Sequence, residues 1–540
     1  MESKVKSNIY SDGITIQNTE VWKHKNYILL YLILFFLTQI PLAGLKPPVE
    51  REPWLIEGAY NLNWELNGKM AKDIPWSSTW YAGIDRSYFF MNHIFFKIFG
   101  VGLLQARMVT LIFSILFLLL VFRWTAQNIS PNIAILSVVL LTVSFSFWPF
   151  LPFASQDIIH CLFGFVSFCL LYSAVSYKRD IYYLAAGFFS ALSVSISYRG
   201  IIIVVCVYLV HIIYFDKEKF IKRSALLLAG SFVAFIIWTS LNILPMGLSN
   251  FLQYNLLPAI PTTYQPGDSG NVIASEFIRF ALFLGTQRKL ALIEIVYWIA
   301  FIVYFFRYLL YVKYKGQSKF ILCWLLVLFF TMSFIEYYHS PSYVLMYSPL
   351  ICILSGISFY ELFNQRKKLA YTFLFLILFS GLGYQVSRIA VYYYHQYIKT
   401  GYGMEGYFEK LRYKVDLSKN IYGDVIYWYA FTDAQYYGGF RYLGRVINVL
   451  HELKKPGEYV NEKEKAKAIL NFFKKRKIEY IIVNNLQSGL KVAHYFPDKV
   501  LPQLNFEPIN EIKNNFLSCG SDPQGSHCII KTYKIISYDL

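Results

Sequence analysis

The sequence predicts a multi-pass α-helical membrane protein of about 11 transmembrane helices, with amphipathic interfacial helices and a C-terminal soluble α/β domain. Three observations predict it. Of 540 residues, 56% are apolar and only 16% charged, too little charge for a water-soluble chain of this size, so the apolar excess faces lipid. The apolar residues gather in runs of about 17 to 25, the length that crosses a bilayer as a helix. After Arg388 the composition turns polar for the length of one ordinary domain.

The runs lie near 28–45, 105–123, 132–150, 158–176, 181–197, 200–215, 224–244, 290–312, 319–335, 343–361 and 369–388. Those at 181–197 and 200–215 are short enough to read instead as one re-entrant hairpin. The net charge of +18 would suit a nucleic-acid groove if it were clustered on one surface, but it is divided among alternate connections. These hold Arg123; Lys178 and Arg179; Lys217, Lys219, Lys222 and Arg223; Lys313, Lys315 and Lys319; and Arg366, Lys367 and Lys368. That pattern is the positive-inside rule, and it assigns those connections to the cytosol. The tail 1–27 is polar and basic, no small-residue cleavage site follows 28–45, and that run is therefore expected to remain as an anchor in the cell membrane. With the N-terminus cytosolic, the transmembrane domain covers 28–388, and 46–104, 151–157, 198–199, 245–289, 336–342 and 389–540 fall outside, on the periplasmic side. The loops 46–104 and 245–289 are long enough to be functional.

In 389–540, GDVIYWYAF, RVINVL, EYIIVNN and CIIKTYKII read as strands, and NEKEKAKAILNFFKKRK reads as a helix. Five of the seven cysteines, Cys161, Cys169, Cys206, Cys323 and Cys352, sit inside apolar runs as small filling. Cys519 and Cys528 stand in a turn-rich polar loop, either bridged, which requires an oxidising compartment, or as two thiols; no further Cys/His pair stands at metal-ligand spacing near His527. No G-x-G-x-x-G follows a strand, so a dinucleotide site is not expected.

The first outer loop gathers the candidate chemistry. Glu50, Glu52 and Glu57 crowd its start, Asp85 and Arg86 its end, and a Trp/Tyr-rich amphipathic stretch lies between, suited to a lipid headgroup boundary. Glu52 is the leading general-base candidate; the bland alternative is that the three acids solvate the loop and favour the N-terminus of the following helix. Asp157 begins the fourth run, and Arg199 stands at the same level in ISYRGIII. Ionisable residues at a membrane edge face an aqueous cavity or a partner. Arg199 could hold a phosphate through its planar donor fork, with Gly200 letting the backbone approach, or the two residues could pair or snorkel. Arg86 suits either a lipid phosphate or an interface anchor. His339 and Tyr343, at the entry to the tenth run, could line the same chamber or be ordinary structural residues.

The stretches REPWLIEGAYNLNWELNGK, DRSYFFMNHIFFKIFG, FASQDIIHCLFGFV, SALSVSISYRGIIIVV and HSPSYVLMYSPL resemble, in order and spacing over most of 28–360, the multispan C-type glycosyltransferases, which include protein O-mannosyltransferases and the lipid A aminoarabinose transferase. That family carries an Asp-Glu pair in the first outer loop, a basic residue opening the next surface helix, an aspartate at the start of the fourth span and a Lys-Gly pair opening a later one. By position Glu52, Arg86, Asp157 and Arg199-Gly200 fall on these features. One departure stands out: Arg51 occupies the place of the first-loop aspartate, so either Glu52 or Glu50 supplies the base, or the reaction differs.

The resemblance implies a GT-C fold and transfer of a sugar from a polyprenyl-phosphate donor to an extracytoplasmic acceptor, either protein, lipid A or another glycan. It implies Glu52, Glu50 and Asp157 as catalytic carboxylates, Arg86, Arg199 and Arg51 on the donor phosphate, and Glu57, Tyr60, Asp85, His339 and Tyr343 around the chamber. No cofactor is required, and a divalent metal is allowed by the chemistry but indicated by no ligand set. An oligosaccharyltransferase or glycan ligase using a pyrophosphate-linked chain shares the large outer loops. A transporter would show inverted repeats and broken helices meeting at the midplane, and the sequence shows neither.

Overall fold

A computed structural model describes residues 26, 28–46, 52–60, 86–144, 146–214, 216–242, 300–303, 315–335, 341–399, 404–423, 430–431, 436–438, 462–484, 505–514 and 528–537. The chain divides into two compact units: Met1–Ala43, Ile84–Tyr88 and Arg107–Arg388 form the first, and Gly44–Gly83, Phe89–Ala106 and Ile389–Leu540 the second.

The described helices are α1 (Ile28–Leu45), α2 (Glu52–Tyr60), α3 (Arg86–Phe99), α4 (Leu103–Asn128), α5 (Pro131–Val143), α6 (Asp157–Tyr177), α7 (Ile181–Ile196), α8 (Ile201–Ile213), α9 (Phe220–Asn242), α10 (Lys315–Ile335), α11 (Ser348–Gln365), α12 (Lys367–Tyr393), α13 (Met404–Arg412) and α14 (Glu462–Arg476). Among the described residues six helices are long and apolar enough to cross a membrane: α1, α4, α6, and the stretches Phe220–Ser240, Gly316–Ser333 and Lys367–Ile398. They account for the runs near 28–45, 105–123, 158–176, 224–244, 319–335 and 369–388. Of the run 290–312, only 300–303 are described, and the loop 245–289 lies outside the described residues.

Four runs are not single long helices. The run 132–150 is not one helix: α5 stops at Val143, Ser144 turns extended, and Trp148–Phe150 forms a short 3-10 turn. Pro149 lacks the amide a continuing helix needs, and the hydroxyls of Ser144 and Ser348 meet that of Ser146 at 2.5 Å each. The runs 181–197 and 200–215 are two helices joined by a 3-10 turn at Tyr198–Gly200. At 16 and 13 residues they span about 24 and 20 Å, short of the bilayer core. The run 343–361 starts as a 3-10 turn, Pro341–Met346, and becomes helical only at Ser348, where Pro349 occupies the first turn.

The first unit packs around aromatic rings. Trp124 of α4 meets Phe168 and Tyr172 of α6 edge-on, at 5.0 and 5.2 Å between centroids, and Phe168 meets Trp324 of α10 at 5.3 Å, the arrangement ring quadrupoles favour. A buried polar seam crosses this apolar mass. Gln39 donates to Gln385 at 2.9 Å, Gln385 donates to the Thr142 carbonyl at 3.1 Å, and Tyr31 shares a 2.6 Å bond with the Thr142 hydroxyl. Polar groups in such surroundings must find partners, so the seam fixes the register of α1, α5 and α12.

α7 and α9 touch through their backbones. A Cβ on Gly187 would lie 2.1 Å from the Leu227 carbonyl oxygen, and one on Gly230 would lie 1.9 Å from that of Leu184; only hydrogen fits at either place. At the end of this pair where α7 and α9 begin, Arg223, buried, donates to Asp216 at 2.5 Å and reaches Asp180 at 3.5 Å, while Lys222 donates to Asp180 at 2.5 Å. The Lys222 bond, aided by both positive charges, holds the Asp180 carboxyl below its ordinary 3.8.

The second unit contains a five-stranded sheet. Its strands β1 (Asn420–Gly423), β2 (Tyr436–Gly438), β3 (Ile478–Asn484), β4 (Asn505–Asn514) and β5 (Cys528–Ser537) lie in the order β2-β1-β3-β5-β4. β1 is parallel to β2 and β3; β5 is antiparallel to β3 and β4. EYIIVNN and CIIKTYKII thus form strands as predicted, and α14 forms the predicted helix. Of GDVIYWYAF, Gly423 is the last described residue of β1, Ala430 and Phe431 sit in a helical turn, and 424–429 lie outside the described residues. RVINVL lies outside the described residues. α14 buries Ile469, Leu470 and Phe473, the last ring 4.9 Å from that of Tyr422. Its C-terminal carbonyl at Arg476 is capped by the Asn420 amide at 2.7 Å, and Lys477 takes the left-handed conformation that ends a helix.

Candidate functional site

Within the first unit a polar stripe organises one end of the helices. Arg107, Thr110 and Ser114 recur at i, i+3 and i+7 on α4 and therefore share one face, and all three are buried. Arg107 is 0% exposed and donates from Nη1 to the Ala43 carbonyl in the last turn of α1 at 2.6 Å. Thr110 Oγ1 accepts the Ser155 N–H at 3.2 Å and donates to the Ser155 carbonyl at 3.3 Å. Ser155 Oγ in turn donates to Asp157 Oδ2 at 2.8 Å and accepts the Asp157 N–H at 3.1 Å. The last bond satisfies one of the amides that a helix start leaves open, so α6 begins with its first residue held by both main chain and side chain.

One turn into α6, His160 is 1% exposed, with Nε2 3.7 Å from Cys161 Sγ. It feels the charges of both the Asp157 carboxylate and the Arg199 guanidinium. The charges of Asp157 and Arg199, read from sequence as a level pair, therefore both reach one buried imidazole. Both are partly exposed.

Arg199 lies in the 3-10 turn between α7 and α8, and Gly200 sets that turn. A Cβ on Gly200 would fall 2.3 Å from the Ser193 carbonyl carbon and 2.4 Å from the Val194 nitrogen. The Ser193 hydroxyl also reaches the Gly200 carbonyl, at 3.3 Å. The close approach expected of Gly200 toward a ligand is thus made toward the main chain of α7, because the turn between two short helices must double back within three residues.

In the second unit, Glu52 opens α2 and is 2% exposed. That is unusual for a carboxylate, which leaves water only when its surroundings compensate. α2 buries Leu55, Ile56 and Ala59 as well. At its end His93 Nδ1 bonds the Ala59 carbonyl at 2.9 Å, tying the helix that carries Glu52 to α3. Tyr60, the last residue of α2, is exposed. Glu57 stands on α2, Arg86 at the first position of α3 and Tyr343 in the 3-10 turn Pro341–Met346; the side chains of these three lie outside the described parts of the structure. Glu50, Arg51, Asp85, His339 and Cys519 lie outside the described residues, as does the side chain of Cys528, so the disulfide remains an expectation.

Among the described residues no group of three or more His, Cys, Asp or Glu side chains could hold a metal. Sequence reasoning missed Arg107, Thr110, Ser155 and His160. A signal was present for the first two, because Arg107, Thr110 and Ser114 are polar residues at helical spacing within an apolar run. For Ser155 the signal was its place two residues before a helix that starts with an acid.

The family model for dolichyl-phosphate-mannose-protein mannosyltransferase matches residues 87–242. ArnT from Cupriavidus metallidurans, solved bound to undecaprenyl phosphate, superposes with a TM-score of 0.58 at 12% identity, over 95% of this chain and 99% of that one. The apo oligosaccharyltransferase of Archaeoglobus fulgidus superposes with a TM-score of 0.50 at 11% identity, over 94% of this chain and 74% of that one. No curated protein sequence matches. The fold is that of the multispan C-type glycosyltransferases, as the resemblance in the sequence implied.

Proposed function

We propose that this chain, built on the C-type glycosyltransferase fold, moves a sugar from a polyprenyl-phosphate donor to a hydroxyl acceptor outside the cytosol, with inversion at the anomeric carbon. The observation that carries the reading is that the mannosyltransferase match, residues 87–242, contains both Asp157, held at the start of α6 by Ser155, and Arg199, whose charges both reach His160.

In this reading the donor phosphate is held by Arg199, Arg86 and Arg51, and the sugar lies over Glu52. Glu52 takes the acceptor hydroxyl proton, the acceptor oxygen bonds to the anomeric carbon, and the bond from that carbon to the phosphate oxygen breaks, its electron pair leaving with the lipid phosphate. The guanidinium groups stabilise the charge that grows on the leaving group. Phosphate leaves readily, so no acid is needed. Burial of Glu52 supports this role, since a carboxylate out of water acts more strongly on a bound hydroxyl. Asp157, fixed by Ser155, serves as a stationary counter-charge to the basic residues, and transfer takes place on the periplasmic side.

The test is sugar transfer in membranes, read by mass spectrometry of lipid-linked sugars and surface glycans with and without the gene. Glu52→Gln should abolish transfer and keep binding of undecaprenyl phosphate, and Arg199→Ala should lose that binding. Unchanged turnover in Glu52→Gln would move the chemistry to Glu50 or Asp157. The likeness to the archaeal oligosaccharyltransferase favours a second reading, a pyrophosphate-linked glycan donor; loss of transfer on metal chelation, restored by a divalent cation, would select it.

A further inference from the structure

We infer that Thr110 is a positioning residue for this reaction, acting on Asp157 through Ser155; the inference rests on the reading of Asp157 as part of the transfer machinery. Of the three buried polar residues on the α4 stripe, Ser114 returns its hydroxyl to its own helix at the Thr110 carbonyl, 2.7 Å away, and Arg107 closes the end of α1. Thr110 turns to the segment that bears an acid.

Its one oxygen serves both main-chain groups of Ser155, at 3.2 and 3.3 Å. A loop residue with both groups taken by the same rigid helix cannot rotate about its own φ and ψ without breaking one of the bonds. The Ser155 side chain is then fixed in direction, and it too makes a reciprocal pair, to the Asp157 carboxylate at 2.8 Å and to the Asp157 amide at 3.1 Å. Four hydrogen bonds thus link α4 through Ser155 to Asp157, and one of them ends on its carboxylate, two residues further along the chain than the point of anchorage. The hydroxyl, not the bulk, of Thr110 performs this, because only the oxygen can both donate and accept.

The position of a charge next to a reacting phosphate tolerates little error, and a misplacement of about 1 Å costs on the order of 100-fold in rate. Thr110→Val keeps the shape and removes the hydroxyl. It should slow sugar transfer about 10- to 100-fold, and Thr110→Ser should restore most of the rate. Ser155→Ala keeps the main-chain clamp and loses only the two bonds to Asp157, so it should reproduce the defect even if Thr110→Val fails to fold. The deciding readout is coupling: in an Asp157→Asn background, Thr110→Val should add no further loss.

Full transfer by Thr110→Val or by Ser155→Ala, with Asp157→Asn slowed but measurable, would overturn the inference and leave the function standing. A Thr110→Val loss that multiplies undiminished in the Asp157→Asn background would overturn it as well, since Thr110 would then act elsewhere. Full transfer by Asp157→Asn itself would remove Asp157 from the machinery and the role of Thr110 with it.

Discussion

Arg107 closes the last turn of α1, donating from Nη1 to the carbonyl oxygen of Ala43 at 2.6 Å from a position with no exposure. The carbonyls that end a helix have no partner within it, and a charged donor is a strong one. Arg107→Met should therefore destabilise the protein by about 1 to 3 kcal/mol, the range for stranding a buried acceptor, and Arg107→Lys should recover part of that. Thermal unfolding in detergent measures both.

The glycines that join α7 and α9 make a contrasting pair with Gly383. Gly187→Ala and Gly230→Ala drive a methyl into a carbonyl oxygen and should each cost about 1 to 3 kcal/mol. Gly383 in α12 has nothing within 4 Å of its Cβ position, so Gly383→Ala should be neutral or stabilise by about 0.5 to 1 kcal/mol through helix propensity. The same unfolding measurement ranks all three.

Asp180 links stability to acid. Its carboxyl titrates below the ordinary 3.8 because Lys222, then Arg223, favour the ionised form. A depressed value means that the folded state holds its proton less tightly than the unfolded state, so the contribution is complete above 3.8 and is lost as pH falls through the depressed value. Asp180→Asn should therefore melt below the parent at neutral pH, and the gap should narrow when both are acidified below the ordinary carboxylate range. A gap that stays constant with pH would refute the electrostatic origin.

The proposed orientation is checked by fusion. With the basic connections in the cytosol, a reporter placed after Arg388 should be active only outside it, and a reporter after Arg179 only inside. Reversed signals would invert the assignment of every loop.

The fold was legible where hydropathy speaks alone. The runs that became α1, α4, α6 and α9 are long, uniform and flanked by charge or turn residues, and such runs have one low-energy state in lipid. The run at 132–150 misled because its average is apolar while its decisive features are local: Pro149, and the hydroxyls of Ser144 and Ser146, which bond each other and, through Ser146, Ser348 of α11. Of the candidate site, Asp157 and Arg199 were singled out in the sequence because an ionisable group at a membrane edge needs a reason to be there. Arg107 satisfied the same criterion and was absorbed into an apolar run by averaging. The reason for Gly200 was hidden further, since the atoms that crowd it come from Ser193 and Val194, and a sequence does not say which way a turn between two short helices doubles back.

For the proposed reaction, the backbone contact of α7 with α9 bears on how the isoprenoid of the proposed donor would travel. Two helices meeting with only hydrogens between their main chains leave no crevice for a hydrocarbon strand, and the ionic clasp of Asp180 with Lys222 and Arg223 pins them at one extremity. That seam is shut to a lipid tail, so any greasy track leading to Asp157 and Arg199 must run along some other groove of the bundle.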